Sequence, residues 1–104
     1  MRLVVTRAAA SDLDGIIDYI ALDSPAAAEK VFRAIVSATE HLIDLPDMGH
    51  VGRLPDTREI PVAGLPYLIV YQVAADTMTI LAVLHGARDL VRALAERRNE
   101  TSRS

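Results

Sequence analysis

Two groups of side chains in this sequence have types that can do chemistry. One closes an apolar run, Val83-Leu84-His85-Gly86-Ala87-Arg88-Asp89. A histidine there has the side-chain type of a general acid or base. Arg88 and Asp89 place a guanidinium and a carboxylate just behind it. The other group is Arg53 with Arg58, on either side of Leu54-Pro55-Asp56-Thr57. A guanidinium presents a planar five-donor fork that suits carboxylate and phosphate. Each residue also has a plainer reading. A His at the end of a strand often pairs with a backbone carbonyl, and Asp89 suits the N-cap or first turn of a helix. Tyr67 and Tyr71, four apart in a strand, share a face, which is most often core packing with the hydroxyl at a rim. Arg58 and Arg88 are expected to be at least partly exposed and to contact a partner rather than serve the core.

Other chemistries lack their residues. There is no Cys, so neither a disulfide nor a thiolate metal site is possible. His41, His50 and His85 are scattered, and no HExxH spacing occurs. Gly49-His50-Val51-Gly52 lacks the Lys of a phosphate-binding loop and the strand and helix that flank one. Asp12, Asp14 and Asp18 spread around the water-facing side of a helix instead of converging. No metal and no cofactor are expected.

The elements that must position His85 and the arginines follow from hydrophobic period. Residues 2–6, RLVVT, read as a short strand. From Thr6 a helical pattern begins, with Leu13, Ile16, Ile17 and Ile20 at i, i+3, i+4 and i+7. Ser24 is a good N-cap and Pro25 suits the first helical position, so a second helix starts there. Its stripe is Ala28, Val31, Phe32, Ile35, Thr39 and Leu42. The tight connection predicts an antiparallel helix hairpin. Pro46 ends the second helix, and the two Gly and two Pro of residues 46–57 predict a loop.

From Arg58 the period becomes two. Ile60 and Val62 point one way, Glu59 and Pro61 the other. Pro61 has no backbone donor, which puts this strand at an edge or beside a bulge. Tyr67–Val73 and Thr77–Leu84 are nearly continuous apolar runs joined by Ala74-Ala75-Asp76. They read as a hairpin of two central strands. A weak amphipathic segment with Leu90, Val91 and Leu94 follows. The polar tail from about residue 98 to 104 is expected to fray. The fold class is α+β, in the order β-α-α-β-β-β-(α), with the N-terminal helix hairpin packed on a small, mainly antiparallel sheet. The whole chain, residues 1–104, is expected to form one domain.

Composition limits the partners. Half the chain is hydrophobic, with 51% apolar residues, so a core needs no staple. The net charge of −3 argues against a globally basic nucleic-acid surface. The charge is uneven: residues 1–52 carry four basic and eight acidic side chains, residues 53–104 seven and six. Ten of the eleven basic residues are Arg, a bias that a GC-rich genome also produces. The longest apolar run falls far short of the ~20 residues of a membrane helix. The first residues lack the pattern of a secretory signal. The expectation is a cytoplasmic protein with no membrane association.

The segments "LPDMGHVGR", "TREIPVAGLPYLIVYQV" and "ILAVLHGARD", following "DLDGIIDYIALDSPAAAEKVFRAI", resemble the RelE/ParE superfamily of bacterial type II toxin–antitoxin toxins from about residue 3 to residue 92. The more specific pieces are P-x-M-G at 46–49, R-E-I at 58–60, P-Y-L-I-V-Y at 66–71 and V-L-H-G-A-R-D at 83–89. The resemblance implies the same helix-hairpin-on-sheet fold. It also implies one of two activities. RelE-like members cut mRNA on the ribosome with basic side chains and often a Tyr or His. ParE-like members poison DNA gyrase without known nuclease chemistry.

Three departures from the ribonuclease pattern favour the ParE-like side. Leu68 stands where RelE-like members tend to carry Arg, no Tyr follows Tyr71, and the net charge is acidic. Under that reading no residue is catalytic, and Arg53, Arg58, His85, Arg88 and Asp89 contact the target or the antitoxin. Arg58 and His85 match positions used for RNA cleavage in some members, so a ribosome-dependent mRNA endonuclease is the alternative. A decayed toxin acting only as an antitoxin-binding co-repressor is a third. The resemblance further implies a cognate antitoxin, ParD-like or RelB-like, laying a helix and an extended segment into an apolar groove. It implies gyrase as the target, or ribosome and mRNA under the alternative, with operator DNA reached only through the antitoxin.

Overall fold

The computed structural model describes residues 1–86. The weak helical segment after Gly86, the tail, Arg88 and Asp89 lie outside the described residues. The order is β1 (Arg2–Val5), α1 (Arg7–Ala21), α2 (Pro25–Asp44), β2 (His50–Val51), β3 (Arg58–Pro61), β4 (Tyr67–Ala74) and β5 (Thr77–His85). The sheet runs β1-β5-β4-β3-β2. Every pairing is antiparallel except β1 with β5, which is parallel. Two helices against a mainly antiparallel sheet is the α+β architecture expected. No described helix is long and apolar enough to cross a membrane.

Local chemistry sets the helix ends. The Thr6 hydroxyl accepts from Ala9 N–H and the Ser24 hydroxyl from Ala27 N–H, both at 3.1 Å. Each satisfies one donor that the first turn would otherwise leave open. α2 stops because Leu45 precedes Pro46 and is pushed out of helical backbone, to φ −131° and ψ 72°. α1 packs against α2 and lies along β5. The core between helices and sheet holds Ala9, Ile35, Leu42, Val62, Ile69, Tyr71, Met78, Ile80 and Val83. Phe32, expected in the α2 stripe, is instead exposed. Ile35 and Leu42, with Val31 at the margin, fill the narrower stripe that faces the sheet. A smaller cluster of Leu68, Val70 and Ala82 covers the other face, so the hairpin strands are apolar on both sides, as their continuous runs predict.

Two details depart from the sequence expectation. The loop 46–57 is not purely a loop, because His50 and Val51 pair with Glu59 and Arg58 as a two-residue strand. That places β2 outside Arg58 and Glu59 and leaves Ile60 and Pro61, at the far end of β3, without a described strand on that side. The second departure is a bulge. Val70 pairs with Ala82 but Tyr71 pairs with Ile80, so Leu81 is the extra residue of β5. β1 ends opposite Ile80, just where the bulge begins. Beyond it, α1 takes over the edge of β5. The Thr6 hydroxyl donates to Leu81 C=O at 3.3 Å, and the Asp12 carboxylate accepts from Val83 N–H at 3.0 Å. Asp12 therefore does not face water with Asp14 and Asp18. It stands in for a missing strand.

Candidate functional site

The strand ending in His85 stops at Gly86, where φ is +68°. That left-handed conformation suits Gly and turns the chain off the sheet. The Gly86 N–H still donates to Pro66 C=O at 2.8 Å, which closes the end of the β4–β5 ladder. His85 is exposed there, opposite Tyr67, with the rings edge to face and centroids 5.6 Å apart. The apolar run ends because the chain reaches the surface.

Arg58 sits at the other end of the sheet, opposite Tyr71. Its guanidinium donates to Gly49 C=O at 2.8 Å and to Asp47 C=O at 3.5 Å, and lies 3.6 Å from the Asp47 carboxylate. Tyr71 is fully buried, and its hydroxyl is not at a rim. The hydroxyl donates to Pro46 C=O at 2.8 Å and accepts from Gly49 N–H at 3.0 Å. On the opposite face, Glu59 is 2% exposed. Its carboxylate accepts from Arg53 N–H at 2.9 Å and lies 3.7 Å from His50 Nε2. Three side chains of β3 and β4 thus pin the segment 46–53 from both ends. Between the pins, Met48, His50 and Val51 are exposed.

The sequence-level candidates do not converge. Arg53 and Arg58 flank this loop, where Arg53 is exposed and Arg58 is partly so. Arg58 and His85 flank β4 from different strands and are four residues out of register along it. At ~3.3 Å per residue and ~4.8 Å per strand, their Cα atoms are about 16 Å apart. Gly49, Tyr71 and Glu59 were not among the site residues expected from sequence. P-x-M-G and R-E-I were conspicuous as motifs, but a tyrosine that caps a loop across the sheet leaves no periodic signal.

Burial raises the Tyr71 phenol above its ordinary range, with the Asp47 carboxylate adding to the shift. The Gly49 N–H and the Arg58 charge oppose it. The folded state therefore favours the neutral phenol, and its contribution to stability is intact below the usual value of about 10. That contribution is lost as pH rises through the raised value. Chemical denaturation across pH 9–12 is expected to show stability falling in the alkaline arm, with Tyr71→Phe flattening the fall. An equally steep fall in Tyr71→Phe would assign it to other groups.

The fold and site have counterparts among known proteins. The family described as "ParE toxin of type II toxin-antitoxin system, parDE" matches residues 3–90. The chain belongs to the ParE toxin family. Among its relatives, the putative toxin Y4kP of Sinorhizobium fredii is 41% identical over 73 residues, covering 70% of this chain and 75% of that one. Toxin RelE2 of Caulobacter vibrioides is 34% identical over 87 residues, covering 84% and 97%. A solved chromosomal ParDE toxin–antitoxin system from P. aeruginosa superposes with a TM-score of 0.74 at 29% identity, covering 84% of this chain and 97% of that one. The isolated E. coli RelE toxin shares the fold, with a TM-score of 0.55 at 18% identity over 93% and 96%. As the toxin of a type II system, this ParE-type chain has an antitoxin as its partner.

Proposed function

We propose that this ParE-type toxin arrests growth by poisoning DNA gyrase and is neutralised by its cognate antitoxin. The observation that carries the reading is the separation of Arg58 from His85. A nuclease needs its cation and its general base around one phosphate, within hydrogen-bond reach of the reacting atoms. Here the two lie about 16 Å apart by strand geometry, and the Arg58 guanidinium is engaged by the carbonyls of Asp47 and Gly49. Leu68 is buried in the sheet, which leaves no basic side chain at that position. The match to the parDE family and the likeness to the P. aeruginosa system favour the same side. Arg53, Arg58, His85, Arg88 and Asp89 then serve as contacts to gyrase or antitoxin, in the cytoplasm.

One observation favours a second reading, a ribosome-dependent mRNA endonuclease: a relative at 34% identity is named a RelE toxin. Induction of the toxin without antitoxin separates the two. Double-strand DNA breaks and an SOS response, with translation continuing at first, are expected. Immediate translation arrest with cuts inside ribosomal A-site codons would reverse the choice. Normal growth with folded toxin present would leave only an antitoxin-binding co-repressor.

Two substitutions sharpen the contrast. His85→Ala is expected to keep toxicity within a few-fold, whereas loss of a general base would reduce it ~10²-fold or more. Arg58→Ala is expected to weaken toxicity or antitoxin affinity together with a melting-temperature drop of several degrees. It removes the donor that holds the carbonyls of Asp47 and Gly49, a charged hydrogen bond of about 1.5–3 kcal/mol. Unchanged melting with lost toxicity would make Arg58 purely a recognition residue.

A further inference from the structure

We infer that the tip of the helix hairpin, Tyr19 and Leu22 with the carboxylates around them, docks on the toxin's target, at an apolar socket flanked by Lys and Arg. The inference rests on the gyrase reading and adds which part of the toxin meets that enzyme.

The core makes no use of these side chains. Leu13 and Ile16 of α1 pack on the core between helices and sheet, and α2 rejoins it at Val31. From Ile17 to Lys30 the hairpin runs past that core. Tyr19 and Leu22 lie three apart, on one face of the helix end, and are 76% and 87% exposed. With Ser24 and Ala27 they border an open concavity at the turn between the helices. An exposed apolar residue standing alone needs no explanation. A Tyr and a Leu side by side at the rim of a concavity form a patch, and Tyr is among the side chains that dominate interface energetics.

Charge selects the occupant. Residues 8–28 hold four Asp and no Glu, Lys or Arg. Asp12 is turned to the edge of β5. Asp14, Asp18 and Asp23 are exposed, and none forms an ion pair among the described residues. Asp18 stands in the last turn of α1, which has no basic residue. The C-terminal end of the helix dipole disfavours an acid there, so local stability does not account for Asp18. A tip of this charge repels nucleic acid, and it repels the same tip on a second copy. It attracts a protein surface rich in Lys and Arg. An enzyme that works on DNA carries such a surface along the phosphates it holds. Burial of Tyr19 and Leu22 then supplies affinity, while the flanking carboxylates steer the encounter and choose the partner.

Purified gyrase holoenzyme with plasmid DNA tests the site, read by direct toxin binding and by the yield of linearised plasmid. The double variant Tyr19→Ala, Leu22→Ala is expected to bind at least ~10-fold more weakly than wild type. The double variant Asp18→Asn, Asp23→Asn should lose affinity at low salt, with the gap to wild type closing as salt rises. Both should melt within a few degrees of wild type, because none of the four side chains serves the core. Affinity for the antitoxin encoded beside the toxin should be unchanged. Poisoning by wild type with both variants equally potent would overturn the proposal and leave the gyrase reading intact. Lost antitoxin affinity with unchanged gyrase binding would overturn it by assigning the tip to the antitoxin. Self-association that the variants abolish, again with gyrase binding unchanged, would overturn it in favour of a second copy. A wild-type toxin without effect on gyrase would sink the gyrase reading and the proposal together.

Discussion

Gly49→Ala is expected to lower the melting temperature by about 15 °C. A Cβ at Gly49 would stand under 3.0 Å from the Tyr71 hydroxyl, its ring carbon Cε1 and the backbone carbonyl of Glu59. Neither neighbour can yield cheaply. Tyr71 is fully buried and bonded at both sides of its hydroxyl, and the Glu59 carbonyl belongs to a paired strand. Relief must come from moving the loop, which breaks the bonds from Gly49 N–H to Tyr71 and from Arg58 to Gly49 C=O. Overpacking of a rigid site costs up to about 3 kcal/mol. At roughly 4–8 °C per kcal/mol for a domain near this size, that corresponds to the stated drop. Gly15→Ala supplies the control, because a Cβ there meets nothing within 4 Å. Thermal unfolding of both variants checks the argument, and equal melting temperatures would show that the Tyr71 cap is not a tight fit.

The same substitution reads the loop's role. Met48, His50 and Val51 are held outward by pins on either side, and a preorganised surface binds with less loss of conformational freedom. Displacing Gly49 should therefore reduce toxicity, antitoxin affinity, or both, even at temperatures where the variant is fully folded. Whichever falls identifies the partner that this loop contacts.

The elements were legible in the sequence because each rests on local chemistry. The Ser24-Pro25 pair starts α2, Pro46 stops it, and the two apolar runs that follow are long enough to be central strands. The sheet order was less accessible, since nothing local says that β1 joins β5 in parallel after the whole chain has intervened. β2 was missed because two residues carry no period. Tyr71 illustrates the limit best. Its place on the core face follows from strand alternation, but its hydroxyl meets Pro46 and Gly49 at separations of 25 and 22 residues. Such a contact is set by how α2 returns onto the sheet. Arg58 was legible as a partly exposed cation and illegible as a loop clamp, for the same reason. Arg88 and Asp89 fall beyond the described residues, so their expected contacts stand as part of the proposal.

Asp12→Ala is expected to destabilise the fold by about 2 kcal/mol, while Asp14→Ala and Asp18→Ala stay within ~0.5 kcal/mol. All three lie on α1, and sequence spacing treats them alike. The structure separates them. β1 ends opposite Ile80, and the bulge at Leu81 turns the next part of β5 out of reach of any strand. Val83 N–H would then face a buried edge with no acceptor. The Asp12 carboxylate fills that place at 3.0 Å. Removing it leaves a donor on a buried residue unpaired, and an unmade bond of that kind costs more than the bond itself contributes. Asp12→Asn keeps an acceptor oxygen and should recover most of the loss. Amide exchange at Val83 provides the local reading: it should quicken in Asp12→Ala and stay slow in Asp14→Ala. Three variants of equal stability would mean that water or a neighbouring group satisfies Val83 as well as the carboxylate does. The expected ordering, with Asp12 alone sensitive, would show that α1 is fastened to the sheet by a side chain doing the work of a sixth strand.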